Sequence, residues 1–184
     1  MKYTQRLHQF TKTRTWEANE TELSWSDEDG RSGVIPYSEI QSVRLRFEPS
    51  RAEKNRYAMR IYTPQEWVIT NINFRGIMDF EDQSDDYAAF VEDFHRQLAP
   101  VNPKTRFLAG STMGAWIGNF VISVFVLIVL LGIALLALTS GLIWLVAVKA
   151  AILLFYIPVM VRLILKNKPA SYEPMRLPAQ HRPG

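Results

Sequence analysis

Cysteine is absent from this 184-residue chain, and histidine occurs only three times. The missing thiols exclude a disulfide framework, a thiolate nucleophile and a thiolate metal site. His8, His95 and His181 are too far apart for a His-x-x-x-His or His-Glu-x-x-His pair, so no metal site is predicted. The chain also lacks a phosphate-binding loop, a dinucleotide fingerprint and a nucleophile elbow. We therefore expect a protein that is not an enzyme and that uses no cofactor.

Charge is scarce over one long stretch of the chain. The 59 residues from 107 to 165 carry only two charged side chains, Lys149 and Arg162. One membrane-spanning helix needs about 20 mostly apolar residues, so this stretch has room for two. We predict a transmembrane helical hairpin over residues 113–165, with spans at 113–138 and 142–165.

Acidic residues are nearly absent from the C-terminal part. Residues 107–184 hold six basic residues and one acidic residue, whereas residues 1–106 hold 15 basic and 17 acidic residues. The basic residues flank the predicted spans: Lys104, Arg106, Arg162, Lys166 and Lys168. Because cytoplasmic flanks are enriched in Lys and Arg, we expect a multi-pass membrane protein with both termini in the cytoplasm. The positive charge therefore belongs to the membrane boundary, and no nucleic-acid partner is predicted.

The N-terminal part is predicted to be one small α+β domain, residues 1–99. Apolar and polar residues alternate from 41 to 47, which places Val43, Leu45 and Phe47 on one face of a strand. Further strands are predicted within 14–26, 33–36, 56–63, 66–71 and 76–81. A helix from Asp85, its predicted N-cap, to Leu98 follows, because five large apolar residues recur there at helical spacing. Pro100 and Pro103 are expected to end it, and residues 100–112 to form a linker.

This order of short strands followed by one amphipathic helix resembles bacterial pleckstrin-homology-like domains found on small inner-membrane proteins. The segment Gly-Val-Ile-Pro-Tyr-Ser-Glu-Ile-Gln-Ser-Val at 33–43 is similar to a motif that recurs among them. The resemblance implies a small antiparallel PH-like β-barrel or sandwich, capped by a C-terminal helix and followed by the hairpin. The resemblance implies little about function, because such a fold hosts lipid-binding, peptide-binding and structural roles. For the whole chain we expect a protein of the bacterial inner (cytoplasmic) membrane whose domain is a non-enzymatic binding or scaffolding module at the cytoplasmic surface.

A basic cluster is the predicted lipid- or anion-binding surface of that domain. Its members are Arg44, Arg46, Arg51, Lys54, Arg56 and Arg60. Basic residues close to an anionic leaflet gain about 1 kcal/mol each, so membrane lipids, including anionic ones, are the expected partners. Glu48 and Glu53 interrupt the cluster, and the alternative is a solvated strand edge whose charges discourage edge pairing.

Four residues near and within the predicted spans are candidates for helix packing. Gly110, Gly114 and Gly118 recur every four residues, a spacing that lets another helix approach closely. The expected partner is the second span, and self-association or another membrane protein is the alternative. Lys149 lies about 12 Å of helix rise beyond Gly141, so its ammonium group must reach the interface or find an anionic partner.

The last segment, 166–184, contains four prolines and is predicted to be extended, either as a loose cytoplasmic end or as a docking peptide. The glycines and Lys149 support a second interpretation of the whole chain. In that interpretation the protein is an accessory or structural subunit of a larger membrane complex, for example in transport or electron transfer, or a homo-oligomer.

Overall fold

The structure is a computed structural model that describes residues 1–49, 55–139 and 143–179. The chain forms two compact units. The β unit contains Met1–Gly110 together with the segment that begins at Ala170, and the helical unit contains Ser111–Pro169. The described residues form three α-helices and mostly antiparallel sheets, which confirms the predicted α+β class.

Eleven strands occur in the described residues. They are β1 Lys2–Gln5, β2 Arg14–Ala18, β3 Glu22–Asp27, β4 Ser32–Pro36, β5 Ser42–Phe47, β6 Tyr57–Tyr62, β7 Glu66–Thr70, β8 Ile72–Gly76, β9 Asp79–Asp82, β10 Arg106–Ala109 and β11 Ala170–Ser171. Strands β1 to β4 form one antiparallel sheet in chain order. The second sheet has the order β11-β10-β5-β6-β7, and β8 and β9 form a separate hairpin.

The core lies between these sheets and helix α1, Ser84–Val101. On β5 the predicted alternation is confirmed, because Val43, Leu45 and Phe47 are all buried. The side chains at helical spacing on α1, from Tyr87 to Leu98, are buried against the same core. Burial of the apolar faces of the sheets and of α1 against one another supplies the main driving force for folding of this unit.

Three local predictions were wrong. Helix α1 begins at Ser84, so Asp85 lies inside the helix and is not its N-cap. The backbone N–H of Ser84 donates to Asp82 Oδ1 over 3.0 Å. The helix also continues through Pro100 to Val101. Residues 76–81 are not one strand, because the chain turns within them between β8 and β9.

Residues 100–110 of the predicted linker, and the predicted tail from Ala170, belong to the β unit. Strand β10 lies within the expected linker and pairs in parallel with β5, with Phe107 opposite Val43. Strand β11 lies within the tail and pairs antiparallel with β10, with Ser171 opposite Leu108. The physical reason is burial: Phe107 contributes to the hydrophobic core, and an apolar ring gains more there than in a solvated linker.

Two helices form the helical unit, α2 Met113–Thr139 and α3 Ile143–Lys166. Their bounds lie within one residue of the two segments predicted as spans. In α2 the stretch Met113–Leu136 has a mean hydropathy of 2.9. Among the described residues, α2 is the one helix that meets the length and composition required to cross a membrane. The helices touch where the indole N–H of Trp116 donates to the Ile164 carbonyl over 3.0 Å.

Candidate functional site

Arg60, the last residue of the predicted basic cluster, is held by two carboxylates. Its Nε and Nη2 donate to the two oxygens of Glu48 over 2.8 and 3.0 Å, and its Nη1 donates to Glu66 over 2.7 Å. These carboxylates raise the pKa of Arg60, and the arginine in turn lowers the pKa of Glu66. The positive charge of Arg60 is therefore largely compensated within the β unit.

Two neighbouring arginines on β5 also have partners inside the chain. Arg46 Nη1 lies 3.3 Å from Glu48 Oε1. Arg44 Nη1 donates to the Gly110 carbonyl over 3.2 Å, and burial lowers the pKa of Arg44 from its usual value. Arg44 thus ties the end of β10 to β5, a role that its position in a basic run does not indicate.

The remaining members of the cluster lie in or beside the connection between β5 and β6. Arg51 and Lys54 lie outside the described residues. Arg56 precedes β6 and is half-buried. Arg46 and Arg60 already face carboxylates, and lipid binding by the cluster stays a prediction.

A second candidate site is a cleft of about 460 Å³ in the β unit, a volume within the usual range for small-ligand pockets. Its walls come from the β1–β2 loop, the ends of β2 and β3, and the start of β7. The lining side chains that matter most are Phe10, Lys12, Arg14, Trp16, Asp27, Arg31 and Trp67.

Arg14 is fixed in this cleft by both aromatic and ionic contacts. Its guanidinium carbon lies 4.1 Å from the ring centroid of Trp25 and 5.6 Å from that of Trp67. Its Nε and Nη2 donate to the two oxygens of the buried Asp27 over 2.6 and 3.0 Å. Cation–π contacts and a bidentate carboxylate together hold this arginine in one geometry. Arg14 therefore presents a rigid, partly exposed guanidinium to the cleft.

Both carboxylates that line the cleft are already paired, Asp27 with Arg14 and Glu66 with Arg60. Lys12 is exposed at the rim, and the indole N–H of Trp16 is buried without an acceptor among the described residues. A ligand with acceptor oxygens and a flat or apolar portion would match these groups.

Sequence reasoning missed this cleft because it missed β1. The four residues Lys2–Gln5 are mostly polar, and only Tyr3 and Gln5 point inward. When β1 is not recognised, nothing in the sequence indicates where residues 6–14 lie in the fold. The signal that could have found it is composition, since this run has three Lys or Arg, one His and no acidic residue around Phe10.

The three glycines predicted for helix packing lie in two different elements. Gly110 precedes α2, just after the end of β10, with a positive φ of 71°, and its N–H donates to the Leu45 carbonyl. Gly114 and Gly118 lie in α2, and no described atom lies within 4 Å of a Cβ added to either. Trp116, which contacts α3, is about 200° around the helix from Gly114. Helix packing by these glycines stays a prediction. Lys149 lies in α3, and its side chain is outside what the structure describes.

The side chain of His95 is part of the packed interior of the β unit. It is completely buried on α1, with Nδ1 2.7 Å from the Val91 carbonyl and Nε2 2.7 Å from the Tyr172 hydroxyl. Burial lowers the pKa of His95 to about 4, so the ring is neutral at physiological pH. A carbonyl only accepts, so Nδ1 donates to Val91 and Nε2 accepts from Tyr172. His95 therefore anchors the segment that follows α3.

Within the described residues, no three His, Asp or Glu side chains group closely enough to hold a metal ion. Comparison of the chain with protein-family models, curated proteins and solved structures gives no match. The interpretation of its function therefore depends on the geometry of the chain itself.

Proposed function

We propose that this protein is a non-enzymatic inner-membrane protein in which α2 and α3 form a transmembrane hairpin. Its β unit is a PH-like module that binds or scaffolds at the cytoplasmic membrane surface. The length and hydropathy of α2 support the anchor. The order of four antiparallel strands, then β5 to β7, then α1 supports the PH-like assignment.

The pairing of β10 with β11 is the observation that carries the hairpin proposal. Strand β10 ends at Ala109, shortly before α2 begins, and β11 begins at Ala170, shortly after α3 ends. Ala109 and Ala170 are direct neighbours in the same sheet. A chain that leaves a sheet and returns to the same point must cross a membrane an even number of times. If α2 crosses, α3 must cross back.

Charge favours the cytoplasm for the β unit. Lys104 and Arg106 precede α2, and Lys166 and Lys168 follow or end α3. Short flanks rich in Lys and Arg remain on the cytoplasmic side. Because β10 and β11 pair, both sets of flanks lie on one side, and their effects on orientation add.

Single cysteines would test this topology, since the natural chain has none. Ser140→Cys in the connection between the spans should react with a membrane-impermeant thiol reagent added to intact cells. Glu28→Cys in the exposed turn after β3 should react only after the inner membrane is opened. Reaction of Glu28→Cys in intact cells would place the β unit outside, and protection of Ser140→Cys in both conditions would refute the hairpin.

The binding role requires a separate test on the intact protein in native lipid particles. Mass spectrometry would measure anionic lipid retained by the natural chain, by a triple variant with Arg51, Lys54 and Arg56 changed to Gln, and by Lys12→Gln in the cleft. Loss in the triple variant would assign lipid contact to the β5–β6 connection, and loss in Lys12→Gln to the cleft. Equal retention in all three proteins would contradict lipid binding by either surface.

One observation favours the second interpretation, an accessory subunit of a larger complex. Gly132 lies five helical turns beyond Gly114 and therefore on the same face, and at both no described atom lies within 4 Å of an added Cβ. Small residues on one face of a helix suit close approach by a helix of another chain. Gly114→Leu should then remove a stoichiometric partner or change the oligomer size, whereas Ala115→Leu on another face should not. An unchanged assembly in Gly114→Leu would exclude this interpretation.

A further inference from the structure

Three large apolar side chains of the β unit are almost fully exposed at the tips of two turns. Phe10, in the β1–β2 loop, is 84% exposed, and Ile77 and Met78, between β8 and β9, are each 85% exposed. We call these three residues the apolar tips. Single exposed apolar residues are common in soluble proteins, but these three lie at the tips of two turns that are hydrogen-bonded to each other near their bases.

Two hydrogen bonds join the start of the β1–β2 loop to strand β8. The Phe74 N–H donates to the Arg6 carbonyl over 2.8 Å, and the Arg6 N–H donates to Asn73 Oδ1 over 2.8 Å. The Arg6 guanidinium lies 5.5 Å from the ring centroid of Phe74. The same side chain donates to the carbonyls of Thr11 and Gln9, which braces the loop that carries Phe10. Both tips are therefore held on defined supports.

The hairpin tip uses residues that its backbone does not favour. Met78 has a φ of 61°, in the left-handed region where a side chain is disfavoured and Gly or Asn is usual. Two-residue hairpin turns favour Asn-Gly, which would relieve the strain and expose no apolar surface. The stability of the β unit therefore does not explain why Ile77 and Met78 occupy this turn.

Charge around Phe10 suits an anionic surface. The run from Arg6 to Arg14 contains three Lys or Arg and no acidic residue, and Lys12 is exposed two residues from Phe10. An exposed cation beside an exposed aromatic ring combines attraction to anionic headgroups with burial of apolar area.

We propose that the apolar tips enter the interfacial region of the bilayer that holds α2, so that the β unit lies against the leaflet at a second place besides its tether. This inference depends on the proposed membrane anchor. A bilayer fits the tips better than a protein partner, because it needs no matching pocket for each of two separate projections. Only Ser111 and Thr112 separate the β unit from α2, so the leaflet is always close to the β unit.

Single-cysteine variants carrying an environment-sensitive fluorophore would test the proposal in proteoliposomes of phosphatidylcholine and phosphatidylglycerol. The full-length variants are Phe10→Cys and Met78→Cys at the tips, Glu28→Cys as an exposed control, and Ile122→Cys in α2. The lipids carry a nitroxide quencher near the headgroup end of the acyl chain, and iodide serves as the aqueous quencher.

We expect a blue shift and loss of emission to the lipid quencher at both tips and at Ile122→Cys, with Glu28→Cys quenched only by iodide. Tips quenched by iodide to the same extent as Glu28→Cys, while Ile122→Cys is lipid-quenched, would overturn the proposal and leave the anchor intact. Tips shielded from both quenchers would also overturn it and indicate a protein contact. Failure of lipid quenching at Ile122→Cys would instead refute the anchor, and the proposal with it.

Discussion

Acidification should destabilise the β unit through His95. The folded protein depresses the pKa of this buried ring to about 4, whereas an unfolded histidine has a pKa near 6.5. Between these values the unfolded chain binds a proton that the folded chain does not. The free energy of unfolding therefore falls as the pH falls from 6.5 to 4, and the contribution of neutral His95 is fully present only above that window.

The size of the effect follows from the two pKa values. A difference of about 2.5 units corresponds to about 3 kcal/mol over the whole window, and about 2 kcal/mol of it is lost between pH 7 and pH 5. The structural cause is that Nε2 must become a donor on protonation, although it faces the hydroxyl of Tyr172 and is completely buried. This is a large fraction of the stability of a domain of ordinary size.

The assay is urea unfolding of the detergent-solubilised full chain, followed by the fluorescence of the tryptophans in the β unit. His95→Gln removes the titrating ring and should be less stable than the natural chain at neutral pH, but by a margin that shrinks as the pH approaches 5. His8→Gln, in an exposed loop, is the matched control and should follow the natural chain. A constant margin between His95→Gln and the natural chain at both pH values would refute the reasoning.

Other substitutions test further contacts of the β unit by the same unfolding assay. Gln5→Leu should cost about 2 kcal/mol, because the carboxamide of Gln5 pairs with the open edge of β7 at two backbone groups. Asn71→Ala should cost about 3 kcal/mol, since this buried side chain bonds four groups around the root of the β8–β9 hairpin, and retained stability would contradict that role. Met78→Gly should stabilise the protein by about 1 kcal/mol because its backbone is left-handed there, and a loss of stability would show that the side chain packs.

Strong periodicity was enough to find several elements from the sequence. β5 alternates over six residues with one face in the core, and α1 repeats large apolar residues at helical spacing, so local pattern and tertiary burial agree. The α2 segment is equally clear because its apolar residues continue for longer than any buried helix of a small domain needs.

Elements whose residues lack a local pattern were missed. Phe107 and Ala109 of β10 join an apolar run that continues into α2, so no boundary is visible in the sequence. The two central positions of the β8–β9 turn hold Ile77 and Met78 instead of the Gly, Asn or Asp residues that mark hairpins. The same absence of a turn signal produced the false strand at 76–81 and concealed the apolar tips.

The basic cluster shows that a run of charge in a sequence does not reveal which of its members pair with carboxylates. Arg46 and Arg60 are on adjacent strands and both reach Glu48, a carboxylate that sequence spacing treats only as an interruption. In the folded unit Glu48 is their partner and offsets part of their positive charge. Pairing across strands depends on register, which a single strand does not reveal.

Strand β11 is the hardest of these elements to predict from sequence, because its two residues are too few to show a strand pattern. Its place depends on a contact between residues 77 positions apart, the hydrogen bond from Tyr172 to His95, and on packing of the Tyr172 ring against Phe107. Both partners were classed by local composition, one as an isolated histidine and the other as part of a loose tail. Under the proposed anchor, the return of the chain to its own sheet would also require an even number of crossings between β10 and β11. The contacts that bring about this return lie in the β unit, where hydropathy carries no signal for them.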